Sequence, residues 1–410
     1  MNFSTSNRHP VSSSDAATRT QARACAKADW RRIFGLREMG VYYALILLVL
    51  VLSAVTAYTG RPNYFSFVNV TNVLYQSSLI AIMAVAMTVI LITGNFDLSV
   101  ASVAALSAAV MIGLADSIGF VPAALVAMLV AVLAGVLNGA IVQLLGINAF
   151  IVTLGTLTAI RGIVLIVTDG RSLSVESVDA IAAMRVFESG RVPLGHFFVL
   201  LGVVLMLASV LLVMRARKTQ GALGAKAPAV LGMLIGGAAV LALGWLGGAR
   251  LAVAKPVVYM AVFTALVWFV LTFTSTGRRL YAVGGNAEAA RLSGINVGRY
   301  KMAGFILCSA AAGFGGILFG SRLGAINPTA LQGAELTVIA SAILGGTSLY
   351  GGAGSVIKTL VGALLLFTLT NGFNILNLGA NYQGVIEGTV VVTAAAIYTV
   401  GGSRRRARTR

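Results

Sequence analysis

Cysteine and histidine are almost missing from this sequence, two of each in 410 residues, and charged side chains make up only 10% of it. Each scarcity excludes something. Cys25 in a polar tail and Cys308 inside an apolar run form no disulfide framework, and no disulfide is expected. His9 and His196 have no cysteine or carboxylate at ligand spacing, so no metal site is expected. No glycine-rich loop ends in Lys-Ser or Lys-Thr, and no catalytic set of side chains stands out. The chain therefore reads as neither an enzyme nor a cofactor carrier, and any nucleotide hydrolysis belongs to another polypeptide.

What the sequence does have is apolar length. Hydrophobic residues make up 58% of it, and the runs 41–58, 121–145, 197–214 and 260–273 hold no Asp, Glu, Lys or Arg. Runs near bilayer length predict an all-α polytopic membrane protein in which every backbone group is satisfied within its helix. A barrel would alternate polar and apolar residues, and these runs are apolar on every face. About 12 transmembrane segments are expected, near 41–59, 72–94, 98–116, 119–145, 148–168, 196–214, 227–247, 256–274, 301–320, 335–349, 354–378 and 381–401. The segment 335–349 is short for a span and suits a broken or re-entrant helix. A forty-residue polar lead is too long for a secretory signal, so the first span reads as an uncleaved anchor.

The formal charge of +18 lies between the spans: in the tail 1–38, in the loops 215–226 and 275–300, and in the basic tail 402–410. Loops held in the cytoplasm account for these clusters better than nucleic-acid binding does. Both termini are then cytoplasmic, and the terminal basic run suits anionic lipid.

A shift of 233 residues superposes 138–156 on 371–389 and matches Asn138 with Asn371, Asn148 with Asn381 and Thr156 with Thr389. The helices so matched cross in opposite directions, so the reading is an inverted repeat, an arrangement common in transporters. It gives a ten-span core of two five-helix halves, 41–168 and 256–401, in a permease domain 39–401, with 196–247 as an inserted helix pair.

Three constellations carry function. Between two apolar runs, Gly94-Asn95-Phe96-Asp97-Leu98-Ser99 places a carboxylate where membrane burial demands a reason. Asp97 reads first as a helix cap, with Gly94 ending the preceding helix, and the break also suits a pathway lining. In the loop 275–300, Glu288-Ala289-Ala290 starts a short helix that Gly294 stops, suited to act as a lever in a partner's groove. Gly345 and Gly346, followed by a second glycine cluster at 351–354, fit either an unwound helix or a turn. Gly316, Gly320 and Gly324 fit close helix packing. Neutral groups in or near the spans, Asn95, Ser99, Thr153, Asn371 and Asn374 among them, suit a hydroxyl-rich solute, with Asp97 as a further pathway candidate.

Through these residues the sequence resembles the permease subunits of bacterial ABC importers for monosaccharides, the ribose and xylose type. The resemblance covers about residues 40–401 and rests on 92–102, on 151–157 with Arg161-Gly162, and on 281–286. Glu288, Ala289, Ala290 and Gly294 are similar to the importer loop that docks on the ATPase. Where the family has Gly-Gly-Ile-Asp-Leu-Ser, this chain has Asn95 in place of the second glycine. The resemblance implies an inner-membrane homodimer, cytoplasmic ABC ATPase subunits and a periplasmic sugar-binding protein. The inserted pair looks like that of the longer xylose-type members, which makes a pentose such as xylose the expected solute. Alternatives are a branched-chain amino acid permease, and an ion-coupled secondary transporter relying on Asp97, Glu335 or Glu387.

Overall fold

The computed structural model describes residues 36–217, 222–248 and 252–377, with isolated positions between 384 and 392. The tail up to residue 35, most of the predicted span 381–401 and the tail 402–410 lie outside the described residues. The helices in chain order are α1 (Leu36–Tyr58), α2 (Phe67–Ile92), α3 (Val100–Ile118), α4 (Phe120–Leu144), α5 (Ala149–Val167), α6 (Val178–Glu188) and α7 (Gly195–Arg217). They continue as α8 (Ala222–Gly247), α9 (Lys255–Phe273), α10 (Ser275–Gly285), α11 (Ala287–Leu292), α12 (Val297–Leu323), α13 (Ala334–Leu344) and α14 (Val356–Leu376). Short antiparallel pairs join β1 (Leu173–Ser174) to β4 (Ala325–Ile326) and β2 (Arg191–Pro193) to β3 (Ala252–Ala254).

Among the described residues, eight helices are long and apolar enough to cross a membrane: α1 to α5, α9, α12 and α14. The expected count of about 12 is therefore not reached there. The predicted segment 335–349 is the 11-residue helix α13, roughly 16 Å long and so about half a bilayer core. The predicted inserted pair 196–247 is the helical hairpin α7–α8, of 23 and 26 residues.

Helix α2 is buried without interruption from Ser77 to Ile92, with α9, α12, α13 and α14 packed around it. Small residues make close packing possible. On α4, Ala123, Ala127, Ala131 and Gly135 recur every fourth residue and are buried, while Leu125, Leu129, Leu133 and Leu137 form an exposed stripe suited to lipid. Gly135 has no room for a Cβ beside the Phe305 carbonyl, and Gly316 has none beside that of Ala104. Gly316 and Gly320 thus pack against α3 as expected, whereas Gly324, at φ 62°, is the left-handed stop of α12.

Helix directions follow from these contacts. Helix α12 runs antiparallel to α2, with Gly304 beside Ile90 and Gly315 beside Met83, and antiparallel to α4, with Gly139 beside Met302 and Gly135 beside Phe305. Helices α13 and α14 form an antiparallel pair, with Gly345 beside Thr359 and Gly362 beside Ser341. One end of the bundle carries the turn 93–99, the turn 145–148, α10 with α11, and the loop 345–355. The opposite end carries α6, held by Phe187 against Phe120, Tyr259 and Phe314.

Candidate functional site

The loop 275–300 folds as the local sequence dictates. The side chain of Asn286 accepts from the backbone N–H groups of Glu288 and Ala289 at 3.1 and 3.0 Å, capping α11. At the other end Gly294, at φ 78°, lets the Ile295 N–H reach back to the Ala290 carbonyl, a Schellman stop. Ala290 is buried with Val283 and Val297 in a small core of its own. The exposed surface of α11 presents Glu288, paired with Arg291 at 3.3 Å, and Leu292, which is 83% exposed. Leu292 was not singled out by sequence, because an isolated leucine in a loop carries no signal until its helix face is known.

Behind this helix lies a junction of backbones. The Gly352 N–H donates to the Ile92 carbonyl at 2.9 Å. Gly284 lies so close that a Cβ there would collide with the Ile92 carbonyl oxygen and crowd the Gly352 nitrogen. Gly351, at φ 87°, packs on Gly94 and on the Gly284 carbonyl. The Tyr281 hydroxyl donates to the Gly354 carbonyl at 2.9 Å, and burial pushes that phenol above its ordinary range, so the proton stays in place to be donated. The loop helices thus seat on two breaks in the membrane helices. Of the three predicted break residues, Gly94 and Gly346 adopt left-handed φ values of 79° and 81°, while Gly345 is required by its approach to the Thr359 backbone.

The structure separates the pathway candidates. Asp97 and Ser99 are fully buried, and Asp97 Oδ1 accepts from the Ser99 N–H at 2.9 Å and its hydroxyl at 2.5 Å. Asn138 Nδ2 donates to the Ser99 hydroxyl at 2.9 Å. This knot fastens the start of α3 to α4. Thr153 is also buried and donates to the Ala149 carbonyl. Asn95 adopts no positive φ, so the backbone there has no need of a glycine. It lines a cavity of about 720 Å³ together with Gln143, Asn148 and Lys301. Asn371 is half-buried with an unpartnered Oδ1, and Asn374, one turn further along α14, is exposed.

Two charged groups were not chosen as pathway candidates from sequence. Arg161 Nη1 donates to the Ala330 carbonyl at 2.7 Å and lies within electrostatic reach of Glu335 in the first turn of α13. Glu188 is fully buried at the end of α6, where Arg322 Nε reaches it at 2.7 Å and the Tyr75 hydroxyl at 2.6 Å. Among the described residues no three His, Cys, Asp or Glu side chains gather as a metal site.

Residues 69–395 match the family described as branched-chain amino acid transport system / permease component. The sequence is 33% identical to the ribose import permease protein RbsC of Escherichia coli (strain K12) over 367 residues, 88% of this chain and 94% of the relative. It is 34% identical to the xylose transport system permease protein XylH of the same strain, covering 91% of this chain and 95% of that one. The D-allose transport system permease protein AlsC of that strain is 28% identical over 93% of this chain and 97% of its own. No solved structure gives a significant match.

Proposed function

The chain belongs to the permease-component family of branched-chain amino acid transport systems, as a membrane transport subunit and not an enzyme, and on that premise we propose that it moves a monosaccharide, a pentose such as xylose, through the inner membrane by alternating access. The observation that carries the mechanism is the seat of α11. A six-residue helix with an exposed Glu288, Arg291 and Leu292 face follows directly on α10, whose Gly284 packs backbone to backbone on the ends of two membrane breaks. A partner ATPase gripping that face would push on Ile92 and Gly352 through α10, because the glycines leave no compressible side chains at its junction with them. Leu292 is the apolar anchor and Glu288 the charge that sets orientation.

In this reading the end bearing α11 faces the cytoplasm, and a periplasmic sugar-binding protein delivers solute to the α6 end. Two copies of the chain form the permease. Helix directions support two inverted halves: α2, α4 and α13 run toward the α11 end, and α12, α14 and α3 run away from it. Each matched pair, α2 with α12, α3 with α13 and α4 with α14, is therefore opposed. The cavity lined by Asn95, Gln143, Asn148 and Lys301 opens near α11 and offers a sugar neutral amides and one ammonium. Asn371 and Asn374 belong to the pathway on α14. The pentose assignment is supported by the inserted hairpin α7–α8 and by the similarity to a xylose permease protein over nearly its whole length.

Glu288→Lys tests the coupling role. The variant should insert and fold normally, since Glu288 is exposed, yet lose most sugar-dependent ATP turnover in vesicles containing the partner ATPase. Unchanged coupling in the variant would remove α11 from the mechanism.

A further inference from the structure

A groove of about 960 Å³ opens between α9, α10 and α12 and reaches Val89 on α2. Its walls are Phe263, Leu266, Val270, Leu280 and Leu307, and its rim holds Arg279 and Arg299, with no carboxylate anywhere in the lining. Arg279 Nη1 donates to the Tyr300 hydroxyl at 3.3 Å, and the side chain is exposed. Phe263 precedes the end of α9 at Phe273 by ten residues. At the helical rise this is about 15 Å, the depth of one leaflet's hydrocarbon. The floor of the groove is therefore as deep as an acyl chain is long, and its mouth carries positive charge where a headgroup phosphate would lie.

We propose that this groove binds one anionic phospholipid, with its phosphate between Arg279 and Arg299 and an acyl chain against Phe263, Leu266 and Leu307. The charge at the rim selects the occupant: two guanidiniums that pair with no carboxylate among the described residues attract an anionic headgroup over a zwitterionic one. Ser293, Gly294 and Ile295, the residues that end α11, lie in the same wall. A seated lipid would brace the coupling helix against α9 and α12, which makes lipid composition an input to transport. This site is independent of which solute the pathway carries.

The test uses the full-length permease in nanodiscs of mixed POPC and POPG, with Leu266→Cys carrying a photoreactive tag. Illumination should attach the tag to POPG in preference to POPC. Arg279→Gln or Arg299→Gln should each reduce that preference about fivefold and the double variant about thirtyfold. Arg278→Gln, outside the groove lining, should leave it unchanged. Both rim arginines are exposed, so folding is not at risk. Equal capture of POPG and POPC by the unsubstituted protein would overturn the proposal, and so would attachment of the tag to a second copy or to another segment of this chain.

Discussion

Gly284→Ala should unfold or uncouple the protein, whereas Gly285→Ala, one residue away, should be silent. A Cβ at Gly284 would collide with the Ile92 carbonyl and come within 2.7 Å of the Gly352 nitrogen. Both neighbours are backbone, so relief requires α10 to withdraw from α2 and the Gly352 to Ile92 hydrogen bond to break. Nothing lies within 4 Å of a Cβ at Gly285, and its φ is not positive. We expect a cost of about 4 kcal/mol or more for Gly284→Ala, and within about 0.5 kcal/mol for Gly285→Ala. Unfolding by SDS in mixed micelles, with vesicle uptake beside it, reads both. Normal stability and uptake in Gly284→Ala would show that the junction is looser than the structure has it.

Arg322→Met should cost roughly 3–5 kcal/mol, because it leaves Glu188 buried without its cation. Glu188 has no exposed side-chain surface, and Arg322 spans it and the Tyr75 ring, whose centroid lies 3.9 Å from the guanidinium carbon. The pair ties α6 to α12 and, through Tyr75, to α2. Removing both charges, with Glu188→Met added to Arg322→Met, should restore most of the loss, as a buried pair is often worth little more than an apolar replacement. The same SDS titration distinguishes the outcomes: equal damage in single and double variants would mean that packing, not charge, holds this corner.

Much of this molecule was legible in its sequence, for reasons that can be named. Membrane helices announce themselves because an apolar run must be about as long as the bilayer is thick. Gly94 and Gly294 marked helix ends because left-handed backbone is costly for other residues, and Asn148 caps the start of α5, accepting from the Phe150 N–H at 2.9 Å. Its repeat partner Asn381 lies outside the described residues. Asn138 and Asn371 lie near the ends of α4 and α14.

What could not be read was contact across distance. The Gly284, Ile92 and Gly352 junction joins three segments far apart in the chain, and no local pattern encodes it. Glu188 gave no sign of a membrane-end ion pair, because its helix is short and its partner follows more than a hundred residues later. The segment 335–349, read as short for a span, is the helix α13, which Gly345 and Gly346 stop at the end of the bundle that also carries α11, and hydropathy averages over such a stop. Asp97 drew attention as an isolated carboxylate, and its surroundings make it a structural knot: its Oδ1 is taken up by Ser99 and its Oδ2 faces no solvent.

Transport driven by a partner ATPase, and not by an ion gradient, is the central claim. The direct measurement is uptake of labelled xylose into proteoliposomes holding the permease, its partner ATPase and internal ATP, with the sugar-binding protein outside and proton and sodium gradients collapsed. Uptake that needs ATP, the ATPase and the binding protein together is the expected result. Uptake that persists without the ATPase and follows an imposed proton or sodium gradient would contradict it.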